Sequence, residues 1–151
     1  GRPLCVMLMD LDHFKSINDN YGHECGDAVL AVFGQKLREI TGEAGRVARM
    51  GGEEFVVVCP NITLDRACHL AETIRQQVAG QPVVCEGKSV SFSVSIGLGY
   101  DAAPRERVSD AFTRLMREAD TLLYQSKRQG RNRTSVDDEH QPTLRLAQHL
   151  S

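Results

Sequence analysis

The sequence feature that most constrains the fold is the glycine pair Gly51-Gly52, which lies between two stretches with strand-like patterns. Residues 46–50 alternate as a strand does, and residues 55–59 form a continuous apolar run typical of a buried central strand. Glycines readily adopt the positive φ that tight hairpin turns require, and without a Cβ they let a ligand lie against the backbone. We therefore predict a β-hairpin whose turn is Gly51-Gly52.

Two carboxylates, Glu53 and Glu54, follow this turn directly. On their own they fit solvated loop charges as well as a functional site. A second acidic stretch elsewhere in the chain favours the functional interpretation.

That second stretch is Asp10-Leu11-Asp12, which ends the apolar run of residues 4–9. Because side chains alternate along a strand, Asp10 and Asp12 share one face while Leu11 points away and leaves its carbonyl near the carboxylates. Carboxylate and carbonyl oxygens are ligands that Mg²⁺ or Mn²⁺ accepts. An alternative role for Asp12 is N-cap of a helix starting at His13.

Further motifs follow in a fixed order: DLDHFKSIND at 10–19, YGH at 21–23, GD at 26–27, RMGGEEF at 49–55, SVSIG at 93–97, AD at 119–120, YQSK at 124–127 and GRN at 130–132. Together they cover the chain from residue 4 to about 136. The ordered set resembles the GGDEF family of diguanylate cyclases, which condense two GTP into cyclic di-GMP. A lone Gly-Gly-Glu-Glu-Phe would be weak support, whereas the ordered set is strong.

The order of predicted elements indicates an α+β fold, with a mostly antiparallel central sheet flanked by helices. The resemblance implies the nucleotide-cyclase, palm-like form of this fold, which has a ferredoxin-like core. It also implies that residues 1–136 are the catalytic domain and 137–151 a tail. The helix that usually precedes the first strand in the family is missing here, so we expect a fragment of a longer signalling protein with an upstream sensor.

Periodicity predicts four helices, over 13–20, about 26–41, a stretch capped by Asn61 or Thr63, and about 109–129. The second should bury Val29, Val32, Phe33, Leu37 and Ile40. Residues 83–85 and 90–99 are predicted to pair as strands, and 132–136 to close a sheet edge. Residues 143–151 fit either a helical turn or a disordered tail.

The family pattern implies that Asp10, the Leu11 carbonyl and Glu53 bind two Mg²⁺ or Mn²⁺ ions per active site. The two acidic stretches would meet if the strands ending at Asp10 and Met50 are neighbours. Glu53 is also the candidate proton acceptor, with Glu54 as the second choice, because a metal-bound carboxylate can serve either purpose.

Asn18 and Asp27 suit recognition of a guanine edge or a ribose, since an amide offers both polarities and a carboxylate accepts two donors. Capping of the flanking helices is the alternative for both residues. His23 is assigned to GTP only through its match to the family motif, and packing is its alternative role.

Lys15, Lys127 and Arg131 carry charge suited to triphosphate oxygens, and we group Lys15 with the catalytic residues. Lys127 and Arg131 lie four residues apart at a helix end, where cations also complement the helix dipole without any ligand.

The chain departs from the family at the usual Arg-x-x-Asp inhibitory site, where Gly42 and Gly45 stand instead. That inhibitory site is therefore not expected here. Arg46 and Arg49 lie nearby, and the sequence does not say whether they form another anion site.

The amino-acid composition restricts the kinds of ligand and partner that this chain can bind. The net charge is -2, and three Tyr, five Phe and no Trp leave few stacking platforms, so long nucleic acid is not expected. Five cysteines without Cys-x-x-Cys spacing predict reduced, mostly buried thiols in a cytosolic compartment, and neither a disulfide framework nor a zinc site. The family resemblance implies that this compartment is a bacterial cytoplasm. No apolar run approaches a membrane span, so this fragment should not contact a membrane, although the full-length protein could be anchored.

The leading hypothesis is a diguanylate cyclase that acts as a homodimer of half-sites. Two alternatives stay open, namely a degenerate domain that binds GTP or cyclic di-GMP without turnover, and a dimerising scaffold. We expect no phosphodiesterase activity from these 151 residues, because they leave no room for a second domain to carry it.

Overall fold

The computed structural model describes residues 1–150, in which strands and helices follow one another along the chain. The strands are β1 Leu4–Leu11, β2 Arg46–Gly51, β3 Glu54–Pro60, β4 Val83–Cys85, β5 Lys88–Val90, β6 Val94–Asp101 and β7 Thr134–Ser135. The helices are α1 Phe14–Tyr21, α2 His23–Thr41, α3 Leu64–Gly80, α4 Val108–Arg128 and α5 Gln141–His149. Single 3-10 turns lie at Gly42–Ala44 and Asp138–His140.

The central sheet has the strand order β2-β3-β1-β6-β7. β1 is antiparallel to both β3 and β6, and only β7 joins in parallel, beside β6. The predicted α+β class with a mostly antiparallel sheet is confirmed. Every residue of β1 is buried, as its unbroken apolar sequence requires of a central strand covered on both faces.

The two faces of β1 belong to two separate cores. Cys5, Met7 and Met9 pack with residues of α2 and α3 on one side of the sheet. Val6 and Leu8 pack against α4 on the other side. The alternation of a strand therefore places neighbouring residues in different layers.

Glycine lets α4 lie close to the sheet. A Cβ built on Gly97 of β6 would lie 2.1 Å from the carbonyl oxygen of Ala119, and one on Gly99 would lie 2.8 Å from that of Leu115. The Ser and Gly positions of β6 are thus buried under α4, so β6 is covered on both faces.

The prediction of one strand over 90–99 is wrong. Val90 ends β5, which pairs only with β4 in a separate two-stranded sheet, and β6 begins at Val94. Residues 91–93 belong to neither strand, and the carbonyl oxygen of Ser93 accepts a hydrogen bond from the backbone N–H of Asp12 at 2.9 Å.

The prediction of five reduced cysteines is also wrong. Cys25 of α2 and Cys85 of β4 form a disulfide, with their Cα atoms 5.8 Å apart. The two residues are 60 positions apart in the sequence, so no local spacing pattern could reveal the pair. Cys5, Cys59 and Cys68 are free and buried, as predicted.

Two helices differ in detail from the prediction. α2 begins at His23, three residues before the predicted start. Val32, which was predicted to lie in the core, is 37% exposed, whereas Leu30 and Gly34 are buried. The segment after 143 is helical, because α5 buries Leu144 and Ala147 in the same core as α2 and α3. Thr63 caps α3 by accepting a hydrogen bond from the N–H of Arg66.

No helix within residues 1–150 combines the length and the apolar character needed to cross a membrane.

Candidate active site

The two acidic stretches meet at one end of the central sheet. Asp10 lies opposite Glu54 in the β1–β3 pair, and the N–H of Leu11 donates to the carbonyl oxygen of Glu53 at 3.3 Å. The strands ending at Asp10 and Met50 are not direct neighbours, because β3 lies between β1 and β2. The stretches nevertheless meet, since Glu53 lies in the tight turn and Glu54 begins β3 beside β1.

Both glycines have the predicted positive φ, although Gly51 ends β2 and the turn residues are Gly52 and Glu53. Gly51 and Gly52 have φ values of 138° and 54°, and a Cβ built on either would meet nothing within 4 Å. Arg49 braces the turn by donating from Nε to the carbonyl oxygen of Gly52 at 2.8 Å. The turn is therefore both open to a ligand and held in place.

A polar cleft of about 280 Å³ lies beside these stretches. It is lined by Asp10, Leu11, Asp12, His13, Phe14, Lys15, Ser16, Glu53, Lys127 and Arg131. Six residues singled out from the sequence as metal, catalytic or phosphate groups thus share one cleft. Glu54 is half-buried and pairs with Asp10, but it does not line the cleft.

Asp10 has the environment expected of a cation ligand. Lys127 Nζ donates to its Oδ2, whereas its buried Oδ1 has no hydrogen-bond partner among residues 1–150. Burial raises the pKa of Asp10; Lys127 opposes the shift, while Glu53 and Asp12 add to it. An unpartnered buried carboxylate oxygen is costly, and a bound cation would satisfy it. The donor set of Asp10, the Leu11 carbonyl and Glu53 therefore fits Mg²⁺ or Mn²⁺.

Glu54 has a raised pKa too, chiefly through burial and then through repulsion by Asp10 and Asp120. Several carboxylates thus lie close together with Lys127 as a nearby cation. Such a concentration of negative charge favours either protonation or cation binding.

Asp12 is a structural anchor. Its Oδ1 accepts from Ser95 Oγ at 2.6 Å, and its Oδ2 accepts from Ser93 Oγ at 2.7 Å and from the N–H of Asn132 at 3.0 Å. The N-cap interpretation is wrong, because α1 has no side-chain cap and is preceded by His13 with φ 55°. These long-range partners could not be predicted from local sequence.

The predicted guanine residues lie away from the polar cleft. Asp27 lines a second cavity of about 410 Å³ together with Leu30, Ala31, Gly34, Arg38, Arg49 and Phe55. Leu30, Arg38 and Phe55 were not singled out from the sequence, because only the fold brings α2 against the hairpin.

Asn18 lies at the junction of α1 and α2. A Cβ on Gly26 would lie 1.9 Å from Asn18 Oδ1, so this glycine makes room for the amide beside the first turn of α2. Neither α1 nor α2 has a side-chain N-cap hydrogen bond, which weakens the capping alternative for Asn18 and Asp27. His23 is exposed at the start of α2 and lines neither cavity.

The glycines at the position of the usual inhibitory motif have backbone roles. Gly42 has φ 53°, and a Cβ on Gly45 would lie 2.4 Å from the carbonyl oxygen of Val58. Arg46 and Arg49 are exposed on β2.

A separate group, Asp137, Glu139 and His140, also has ligand atoms within 4.8 Å of one another. The ring of His140 contacts Tyr100, which pairs with Cys5 near the start of β1, at the far end from Asp10. This group is not part of the site at the acidic stretches.

Residues 1–133 match the family model described as "Diguanylate cyclase, GGDEF domain". The chain belongs to the GGDEF family. The "Probable diguanylate cyclase DgcF" of Escherichia coli (strain K12) is 53% identical over 133 residues, covering 88% of this chain and 42% of the relative. "Response regulator PleD" of Caulobacter vibrioides (strain NA1000 / CB15N) is 40% identical over 133 residues, covering 87% of this chain and 29% of the relative. This GGDEF domain therefore spans less than half the length of these relatives.

Solved structures resemble this GGDEF domain closely. The "active GGEEF domain of a diguanylate cyclase from Vibrio cholerae" has a TM-score of 0.77 and 33% identity, covering 89% of this chain and 83% of that one. The GGDEF domain of DgcB from Caulobacter crescentus, in complex with c-di-GMP, has a TM-score of 0.80 and 31% identity, covering 89% of this chain and 77% of that one. The resemblance stated from the motifs and the fold class are both confirmed.

Proposed function

We propose that this domain condenses two GTP molecules into cyclic di-GMP with release of pyrophosphate. The observation that carries the proposal is the shared cleft of Asp10, the Leu11 carbonyl, Glu53, Lys127 and Arg131. It combines an oxygen donor set for cations with cationic groups for phosphate, as phosphoryl transfer requires.

The cation ligands would be the free Oδ1 of Asp10, the Leu11 carbonyl and a Glu53 oxygen. When bound, two Mg²⁺ or Mn²⁺ ions would neutralise charge on the attacking and leaving oxygens. The protein contributes a preformed donor set, because β1 and β3 are hydrogen-bonded neighbours whose ends cannot separate without breaking the sheet.

The triphosphate would lie along the cationic side of the cleft. Lys127 is half-buried beside Asp10, Arg131 lies in the turn that follows α4, and Lys15 is exposed on α1. Charged hydrogen bonds from these groups would orient the α-phosphorus toward the incoming hydroxyl and stabilise the departing pyrophosphate.

Glu53 is the proposed proton acceptor for the ribose 3′-hydroxyl, and Glu54 is the second candidate. The bond between the 3′-oxygen and the α-phosphorus forms as the bond to pyrophosphate breaks, and the hydroxyl proton passes to the carboxylate. Burial raises the pKa of Glu54, in the direction that favours proton acceptance, but Glu53 is the carboxylate that lines the cleft.

The guanine would enter the cavity at Asp27. Leu30 and Phe55 are buried apolar walls suited to an aromatic base, and the Asp27 carboxylate can accept from guanine N1–H and the 2-amino group. Asn18 would contribute from the end of α1. Adenine offers no matching pair of donors.

Cyclic di-GMP has two equal halves joined by two equivalent bonds, so the simplest catalyst is a symmetric pair of half-sites. Each chain would hold one GTP and present its 3′-hydroxyl to the partner's nucleotide. Product formation should then rise more than linearly with protein concentration.

The test is turnover of GTP with Mg²⁺ at increasing protein concentration, for the parent domain, Glu53→Gln and the control Glu39→Gln. Glu39 is an exposed residue of α2, so its change should leave the rate unaltered. Glu53→Gln should lower the rate by roughly a hundredfold or more, the usual loss for a well-placed electrostatic group.

A fully active Glu53→Gln variant would contradict the metal site built from the two acidic stretches. A parent domain that binds GTP or cyclic di-GMP but forms no product at any concentration would instead be the degenerate signalling module. A domain that binds neither would be a scaffold.

A further inference from the structure

The turn that follows α4 has an unusual backbone. Gly130, Arg131 and Asn132 have φ values of 123°, 64° and 46° in succession. An arginine rarely adopts a left-handed conformation, and two consecutive residues with side chains do so only when their surroundings hold them there. Arg131 is one of the cations that line the polar cleft.

The turn is held at Arg131 and at Asn132. The N–H of Arg131 donates to the carbonyl oxygen of Ser126 at 2.9 Å, and Arg133 Nε donates to the carbonyl oxygen of Arg131 at 3.1 Å. Asn132 carries the contacts that reach other elements. Its N–H donates to Asp12 Oδ2 at 3.0 Å, which ties the turn to the end of β1. From the other side, Arg75 Nη1 donates to Asn132 Oδ1 at 3.2 Å and lies 3.5 Å from its carbonyl oxygen. Asn132 is exposed, so these two partners, and no surrounding core, fix its position.

Arg75 is itself fixed by a buried carboxylate. Glu72 is fully buried, and it accepts from Arg75 Nη2 at 2.9 Å and from Arg75 Nε at 3.1 Å. Thr134 Oγ1, at the start of β7, donates to the same carboxylate at 2.8 Å. A two-point guanidinium–carboxylate contact orients the arginine strongly, which leaves its Nη1 directed at Asn132.

Neither Glu72 nor Arg75 lines the polar cleft or the cavity at Asp27. A buried ion pair is weak support for stability alone, because removing two charges from water offsets much of their attraction. Arg75 of this pair contacts Asn132, which is the residue next to Arg131 in the chain.

We propose that Glu72 and Arg75 are positioning residues for nucleotide binding, which hold the 130–132 turn so that Arg131 faces the triphosphate. This inference rests on the proposed function, in which Arg131 contacts GTP. Asp12 holds the same turn from the sheet side, so the cation of Arg131 is preorganised before any ligand arrives.

The test begins with Arg75→Lys. A lysine keeps a positive charge beside the buried Glu72, but its single ammonium cannot bond both Glu72 oxygens and Asn132 at once. The dissociation constant of a non-hydrolysable GTP analogue with Mg²⁺, measured by calorimetry, should rise roughly threefold to tenfold, as for coupled neighbours. The control is Arg66→Lys, the same change at an exposed position of α3, and it should leave the dissociation constant of the analogue unaltered.

A double-mutant cycle with Arg131→Ala separates positioning from general damage. If Arg75 acts through Arg131, Arg75→Lys should have no further effect on binding once Arg131 is alanine. Amide hydrogen exchange should be faster at Asn132 in Arg75→Lys. Asn132→Gly should restore part of the lost affinity, because glycine adopts positive φ freely.

An equal loss of affinity from Arg75→Lys in the Arg131→Ala background would overturn the positioning role and leave the proposed function intact. Unchanged exchange at Asn132 would also overturn it. If Arg131→Ala alone binds the analogue as the parent does, the assignment of Arg131 to the triphosphate fails, and the positioning role falls with it.

Discussion

Reduction of the Cys25–Cys85 disulfide should lower the stability of this domain while leaving it folded. The bond joins the first turn of α2 to the end of β4. The β4–β5 hairpin also buries Val83 and Val90 in the main core, so the hairpin should stay docked when the bond is broken. The loss of folding stability should therefore come mainly from the greater conformational freedom of the unfolded chain.

The magnitude follows from the length of chain that the bond closes. For a separation of 60 residues, the chain-entropy relation gives about 4 kcal/mol of stabilisation at room temperature. That is a large share of the roughly 5–15 kcal/mol that stabilises an ordinary domain. With about 2–4 °C of Tm per kcal/mol for a chain of this size, the Tm should fall by about 8–16 °C.

The assay is thermal unfolding followed by circular dichroism, with and without dithiothreitol. A thiol titration of the denatured protein should find three free thiols before reduction and all five afterwards. Cys25→Ala/Cys85→Ala should unfold at one temperature under both conditions. Cys68→Ala, which removes a free buried thiol, should keep the sensitivity to dithiothreitol.

Five free thiols in protein that was never exposed to reductant would show that the bond is absent. If the titration shows that the bond is present but its reduction shifts the Tm by only about a degree, the loop-closure estimate of about 4 kcal/mol is refuted. In that case the unfolded chain would have to be constrained by other residual structure.

Asp27→Asn should erase the preference for GTP over ATP, which we expect to be at least about tenfold in the parent, because the carboxylate, exposed in the free domain, is covered by the base and finds its two donors only on guanine. Dissociation constants for both nucleotides measure this preference, and unchanged discrimination would place guanine recognition elsewhere. Gly97→Ala should destabilise the domain by roughly 1–3 kcal/mol, because its Cβ would lie 2.1 Å from a carbonyl oxygen of α4. Gly80→Ala, where nothing lies within 4 Å, is the matched control in urea unfolding, and equal effects would contradict the packing argument. Cyclic di-GMP should restrain this domain only weakly, because Gly42 and Gly45 carry no charge; tight non-competitive binding of product in a calorimetric titration would contradict this.

Much of the candidate site could be predicted because its signals are local. The apolar run before Asp10 and the glycines before Glu53 each determine the backbone within a few residues. Strand periodicity then indicates which side chains emerge at a strand end. The order of these motifs along the chain also sufficed for the family resemblance.

Other features depended on which elements become neighbours in three dimensions. The position of β3 between β1 and β2, the disulfide of Cys25 with Cys85 and the three donors to Asp12 all join residues far apart in sequence. Exposure of Val32 likewise depends on which elements cover α2. Local patterns contain the preferences of a segment but not the identity of its partners, so only the tertiary structure decided these contacts.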